Sequence, residues 1–184
     1  MTTACGENTP PGTRAKLHIC PAEEFDGWPQ TLLEMTPAST VPGADIILNE
    51  AFNFVATVGK GYWRTYDILV DSGMVETSTV GEKGVLGFTS NLPFFIIGTK
   101  AEKLSFAKNV VNCCLAAMIQ TREDKLNMLV LGRDNDPVKV KEIKISTGAK
   151  AGDKPGAAYV LEDSGGDVPA VYPISFGINT TPNV

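Results

Sequence analysis

The pattern of apolar and polar positions predicts a chain built mainly of β-strands. Residues 45–70 are rich in β-branched and aromatic side chains, and residues 62–70 alternate between two faces at the period of a strand. A turn at residues 58–61 would join two such strands into a hairpin. Short apolar or alternating runs recur later, at residues 126–131, 138–145, 157–162 and 169–176. The alternation changes phase near Lys141 and Glu142, which predicts a β-bulge there.

Residues 71–91 predict a long extended hairpin. Glycine and aspartate turn signals surround β-forming residues in this segment, and its tip is expected at residues 81–84. An arm of this kind has no core of its own, so we expect it either to stay disordered or to become ordered against a partner. The candidate subunit-interface residues lie in this arm and in the helix that follows: Gly73, Met74, Val75, Val80, Val85, Leu86, Phe88, Phe106 and Val110.

A single helix is predicted over residues 99–121. Thr99 and Glu102 have the spacing of a capping box, which marks its start. An apolar stripe with helical spacing runs from Leu104 to Met118, and further apolar side chains widen it, so we expect the helix to be covered on more than one side. With one helix and no strand–helix–strand repeats, the predicted fold is mainly β: an antiparallel β-sandwich or barrel with one flanking α-helix.

The chain is expected to divide into three parts. Residues 1–44 contain many prolines, which interrupt long elements, and are interpreted as an N-terminal arm with one short strand at residues 15–20. Trp28 should anchor this arm, because a large aromatic side chain must bury its surface. Residues 45–178 would form the β domain, and residues 179–184 a C-terminal tail.

Composition and charge exclude some classes of function. With 184 residues, 43% apolar and 20% charged, the chain is typical of one globular domain. No apolar run approaches the roughly 18 residues of a membrane span, and residues 1–7 lack the features of a secretory signal. A formal net charge of −5 argues against sequence-specific DNA binding, which needs a basic patch.

The charge is distributed unevenly along the chain. The balance is −6 over residues 1–99, +4 over residues 100–150 and −3 over residues 151–184. Surfaces of opposite sign on one molecule suit head-to-tail contact between identical subunits. A random scatter of charge over a solvated surface explains the same numbers equally well, so the pattern alone does not decide between the two.

Candidate catalytic and redox residues are few. The single histidine, His18, lacks the surroundings of a hydrolase triad or a cysteine protease, so we interpret it as structural. Cys113 and Cys114 are adjacent, which excludes the C-x-x-C spacing, and we expect them to be buried thiols of the predicted helix. Cys5 and Cys20 could pair, but nothing in the sequence indicates an oxidising compartment.

Metal and phosphate sites are not predicted either. Residues 134–136 and 163–167 carry carboxylates without the spacing of a calcium-binding loop. Residues 59–61 and 81–84 contain glycines and lysines without the spacing of a phosphate-binding loop. We therefore expect no catalytic residue, no metal site and no cofactor, and we do not expect an enzyme.

Residues 99–176 carry a resemblance to a known family. The order is a capped amphipathic helix, a strand, the alternating residues 138–145, the stretch K-x-G-D-K-x-G at residues 150–156, and two further strands. This order resembles the tail tube (major tail) proteins of bacteriophages, particularly those of gut phages infecting Bacteroidetes-type hosts. The resemblance covers about the C-terminal half of the chain, and the N-terminal arm has no counterpart in it.

The resemblance implies a structural virion protein. Its subunits would assemble as stacked hexameric rings around a DNA channel, with residues 71–91 reaching the next ring. The implied partners are copies of itself, other tail proteins and genomic DNA that passes without sequence-specific binding, with no membrane and no cofactor. The implied location is the virion tail, and the host cytoplasm during assembly. An acidic channel wall would repel DNA phosphates and let the genome slide.

Other functions stay open at this point. The unmatched N-terminal arm is compatible with another virion component, such as a head–tail connector, collar or decoration protein. The number of copies per particle would distinguish these from a tube subunit. A small-ligand-binding β-barrel or an unrecognised enzyme is a third hypothesis, and a ligand-induced rise in melting temperature without oligomerisation would favour it.

Overall fold

A computed structural model describes residues 13–70, 72–122, 124–148 and 153–183. Its strands in chain order are β1 (Thr13–Pro21), β2 (Arg64–Asp67), β3 (Glu76–Glu82), β4 (Val85–Ile97), β5 (Leu115–Thr121), β6 (Asn127–Leu131), β7 (Lys139–Ser146), β8 (Gly156–Asp163) and β9 (Ala170–Pro173). The helices are α1 (Leu32–Met35) and α2 (Ala101–Val110), with 3-10 turns at Ala22–Glu24 and Ile174–Phe176. The fold is mainly β, as predicted, with two antiparallel sheets.

The first sheet has the strand order β2-β1-β5-β6-β9 and is buried on both faces. One face contributes Leu17 and Ile119 to the core between the two sheets. The opposite face is covered by irregular chain that carries Phe52 and Trp63. Trp28 packs against this second cluster and makes an edge-to-face contact with Phe25, so the predicted anchoring role is confirmed.

The second sheet has the order β3-β4-β8-β7. Its inner face contributes Leu92, Phe94 and Tyr159 to the core between the sheets. The pairing of β7 with β8 shifts between Val140 and Glu142, which confirms the predicted bulge. This extra residue lets both halves of β7 keep an apolar side chain toward the core despite the change in alternation.

The prediction of one helix over residues 99–121 is wrong in its second half. Helix α2 ends at Val110 and, after a turn, Leu115–Thr121 forms strand β5. Because both faces of the first sheet are covered, every residue from Leu115 to Ile119 is buried and the strand shows no alternation. A continuous apolar run of this kind fits a buried strand and a buried helix equally well.

The predicted helix cap is also wrong. The N-cap position of α2 is Lys100, and no side chain caps this end, so Thr99 and Glu102 do not form a capping box. A complete capping box occurs at α1 instead, where the Thr31 hydroxyl accepts from the Glu34 amide and the Glu34 carboxylate accepts from the Thr31 amide. Two α-helices are therefore present in the described ranges where one was expected.

The hairpin predicted within residues 45–70 does not form. Only Arg64–Asp67 is a strand there, and it pairs with β1. Residues 47, 48 and 54 make isolated bridges to distant partners. Phe52 and Trp63 of this segment instead pack on the outer face of the first sheet. Strand propensity alone does not distinguish such covering positions from a strand.

Both ends of the described chain are built into the domain. The strand expected at residues 15–20 is confirmed as part of β1, which lies between β2 and β5 inside the first sheet. Residues 1–12 of the predicted arm lie outside the described residues. At the other end, the Trp63 amide donates to Asn179 O at 2.8 Å and the Asn183 amide donates to Lys60 O at 3.1 Å.

Candidate assembly surface

A two-stranded hairpin projects from one end of the second sheet. Strand β3 pairs with the first half of β4, from Glu76 opposite Asn91 to Glu82 opposite Val85. The two-residue loop at its tip lies within the predicted residues 81–84. Gly81 has a φ of +123°, and a Cβ at this position would lie 2.2 Å from the Val85 carbonyl oxygen, so only glycine fits there.

The hairpin exposes apolar side chains to solvent. Every residue of β3 is exposed, and four apolar side chains are 37–82% exposed: Val80, Val85, Leu86 and Phe88. Pairing of β4 with β8 begins only at Ser90, so the hairpin beyond that point is a ribbon of two strands. A two-stranded ribbon is marginally stable by itself, and clustered exposed apolar side chains mark interaction surfaces.

The root of the hairpin is held by the body of the protein. Ser90 is fully buried, and its hydroxyl is hydrogen-bonded to that of Thr77 at 2.7 Å. The Phe88 amide donates to Gly166 O at 3.1 Å, and a Cβ at Gly87 would lie 3.3 Å from the Gly166 Cα. The direction of the hairpin is therefore set by the adjacent loop, while its tip extends beyond the sheet.

The other predicted interface residues have different environments. Gly73 is buried, Met74 is 48% exposed, and Val75 packs against the core. Phe106 and Val110 are buried in the core, with the Phe106 ring centroid 4.2 Å from that of Tyr66. Their remaining exposed edges line a cavity beside α2.

The second sheet ends in two open edges of opposite charge. Within the described ranges, no backbone hydrogen bond reaches the outer edge of β3 or of β7. Strand β3 carries two carboxylates, and β7 carries three lysines against the single carboxylate of Glu142. Lys141 contacts Glu162, and Lys144 lies 2.7 Å from Glu142. An unpaired edge is a template for another strand.

A groove beside α2, which we call the α2 groove, was not anticipated from the sequence. It consists of a cavity of about 370 Å³ and a neighbouring one of about 170 Å³. Both are lined by Tyr66, Glu102 and Phe106. Arg64 and Cys113 line the larger cavity only. The groove forms where α2 crosses the first sheet, so no local motif could reveal it.

An ion pair joins the wall of this groove to a buried carboxylate. The Glu24 side chain is 3% exposed, and its two oxygens accept from Arg64 Nη2 at 2.8 Å and Nη1 at 3.3 Å. The Gly61 amide donates to the same carboxylate at 2.8 Å. The guanidinium also stacks over the Tyr62 ring, 4.5 Å from its centroid. The charge of Arg64 is thus neutralised by its own subunit, and the pair ties the covering segments to the first sheet.

Among the histidine and the described cysteines, some side chains are buried and others are exposed. His18 is buried, its Nδ1 lies 2.9 Å from the Thr65 hydroxyl, and burial, assisted by the charge of Lys16, lowers its pKa. Burial raises the pKa of the Cys20 thiol to about 12, so this free thiol stays protonated. Cys113 and Cys114 are exposed in the turn after α2, so the prediction that they are buried is wrong.

No metal centre or membrane span is found in the described part of the chain. There, no cluster of three or more His, Cys, Asp or Glu side chains could hold a metal ion. No helix in the same ranges is long and apolar enough to cross a bilayer. Comparison of the chain with protein-family models, curated proteins and solved structures found no match. The exposed hairpin, the open edges and the α2 groove are the features on which a function can be based.

Proposed function

We propose that this protein is a structural subunit of a phage tail tube, assembling with copies of itself into stacked, hexameric rings around a channel for the genome. The observation that carries the proposal is the second sheet, which leaves two open edges and an apolar hairpin in solvent. In a monomer, open strand edges and exposed apolar side chains favour aggregation, whereas in an assembly they form the contacts between subunits.

Contact within a ring would join the β3 edge of one copy to the β7 edge of the next. Main-chain hydrogen bonds would supply the pairing, as in other strand additions. Acidic side chains on β3 would meet the lysines of β7, which favours this partner over a second β3 edge. Because the two edges differ, the contact is head-to-tail and can close into a ring.

The register of the second sheet is compatible with a closed barrel. Glu76, Asn91, Glu162 and Lys139 lie in one row across the sheet. From that row β3 extends toward the tip of the hairpin, and β7 extends in the opposite direction. The two edges are therefore staggered, and a closed barrel requires strands that are staggered and tilted relative to its axis.

Charge supports the passage of DNA through such a ring. The chain has a formal net charge of −5, so a ring of copies is strongly acidic. An acidic assembly repels phosphates and does not retain the genome, whereas a DNA-binding protein would need a basic surface. The proposal assigns no enzymatic activity and no cofactor to the protein.

The test is the assembly state of the purified protein. Negative-stain microscopy and sedimentation velocity should show rings and tubes with a central channel at high protein concentration. A stable monomer under these conditions would contradict the proposal. Rings that never stack into tubes would favour another virion component, such as a collar protein.

A further inference from the structure

The tip of the hairpin and the α2 groove lie toward opposite ends of the molecule. Strand β4 runs from Val85, next to the tip, to Ile97, which is followed by α2. Ile96 lines the smaller cavity of the groove. It lies 11 residues after Val85, which is roughly 36 Å at ~3.3 Å per residue. Because the projection and the groove lie at opposite ends, each copy can bind one copy above it and another below it. Such a head-to-tail contact can continue indefinitely, as a stack of rings requires.

The two features also match in size and polarity. The larger cavity of the groove, about 370 Å³, has an apolar floor that includes Ile19, Val110 and Leu115. The tip presents two aliphatic side chains, those of Val85 and Leu86, which are 82% and 61% exposed. Cavities of this size accommodate small apolar groups, and well-filled central pockets dominate the energetics of interfaces.

One charge pairing, between Lys83 and Glu102, favours this occupant. Glu102 is exposed at the groove and makes no ion pair with any described residue. Of the other charged groups there, Arg64 is neutralised by Glu24, and Asp67 and Lys103 line the smaller cavity with opposite signs. The groove therefore has an excess of negative charge. At the tip of the hairpin, Lys83 lies in the turn and can pair with Glu102, while the adjacent Glu82 lies at the end of β3.

We propose that the hairpin tip of one copy seats in the α2 groove of a copy in the adjacent ring, with Val85 and Leu86 on the apolar floor and Lys83 beside Glu102. This inference rests on the proposed function, since it assigns the contact between successive rings. Glu102, which does not cap α2 as predicted, would have a role in this contact instead. The partner is thus a second copy of this chain, recognised through the aliphatic side chains at the hairpin tip and through Lys83.

A disulfide trap tests the contact directly, because Cys113 already lines the groove. The variant V85C, in a C114S background, should form an intermolecular disulfide with Cys113 on mild oxidation, since disulfides require Cα atoms within about 7 Å. Non-reducing electrophoresis should show a ladder of covalent multimers, and mass spectrometry of the linked peptides should identify position 113.

Matched variants define the background of this trap. Val58 is 76% exposed in a different turn, so V58C in the same background reports random collision between exposed thiols. V85C with C113S removes the proposed acceptor. The contact is supported if the link to Cys113 forms only with V85C, and it is overturned if V58C reacts with Cys113 to the same extent.

Charge exchange gives an independent readout without a new covalent bond. K83E should weaken stacking of rings by at least about tenfold, because like charges would face each other, and K83E combined with E102K should restore it. Tube length in negative-stain images is the measurement.

If wild-type protein forms no rings, the proposed function fails. If tubes form but K83E stacks like the wild type and the trap is negative, only this inference fails.

Discussion

The two sheets of this protein carry similar apolar side chains but differ in how far the single chain covers them. The first sheet is covered on both faces, and its β9 edge is hydrogen-bonded to the chain at residues 46–48, with the Leu48 amide donating to Val171 O at 2.8 Å. The second sheet buries only its inner face and leaves the edges of β3 and β7 open among the described residues.

Because of this difference between the sheets, the first sheet contributes mainly to the stability of the single chain and the second to self-association. In the first sheet, apolar side chains leave water when the single chain folds, which is the main favourable term in folding. In the hairpin of the second sheet, comparable side chains stay in water after folding is complete. Substitutions in the first group should therefore change the free energy of unfolding, and substitutions in the second should change self-association.

The largest expected effect is at the buried ion pair behind the first sheet. E24A removes a buried carboxylate that accepts hydrogen bonds from Arg64 and from the Gly61 amide, which should lower the free energy of unfolding by about 3–5 kcal/mol. The neighbouring Glu23 is the matched control, because its side chain is 72% exposed and its pairing with Lys60 is solvated. E23A should cost only about 0–1 kcal/mol. Urea denaturation of both variants measures this, and equal losses would contradict the assignment.

The next effect compares two leucines of the same strand. Leu92 of β4 is fully buried in the core, whereas Leu86 lies on the projecting hairpin and is 61% exposed. L92A should lower the free energy of unfolding by about 2–5 kcal/mol, because it leaves a cavity. L86A should change it by less than about 0.5 kcal/mol while reducing tube formation. Denaturation at low protein concentration and microscopy at high concentration separate the two outcomes.

A smaller effect is expected at the open edge of β7. K139E combined with K144E reverses its charge and should raise the concentration needed for ring formation about tenfold, equivalent to ~1.4 kcal/mol. K100E combined with K108E, at two exposed positions of the α2 region, makes the same change of net charge and is the control. Sedimentation velocity over a concentration series measures the change. If both variants shift assembly equally, the β7 edge has no special part in it.

The smallest effect concerns pH and His18. Burial lowers the pKa of His18 in the folded state below its ordinary value of 6.5, so the unfolded chain binds the proton more readily. This contribution to stability is complete above pH 6.5 and is lost as pH falls from there toward the lowered value. H18Q should flatten the pH dependence between pH 7.5 and 5, by at most about 1.4 kcal/mol per pH unit. If the dependence of the free energy of unfolding on pH is the same in H18Q as in the wild type, His18 does not contribute to it.

Local signals predicted the hairpin and the bulge of the second sheet but missed the central strand of the first. The hairpin tip around Gly81 and the bulge near Lys141 were predictable, because backbone conformation and alternation are encoded within a few residues. Strand β5 was mistaken for helix because burial on both faces erased its alternation. The α2 groove and the Glu24–Arg64 pair were missed because each joins residues 40 or more positions apart.

By itself, the sequence determined the mainly β class, the hairpin with its tip and the segregation of charge along the chain, since these depend on residue type and short-range order. The tertiary structure decided which apolar runs are covered. It turned Leu115–Thr121 into a central strand and left Val85 and Leu86 in solvent. The physical reason is that burial is a property of all the elements packed around a side chain, and no single stretch of sequence contains that information.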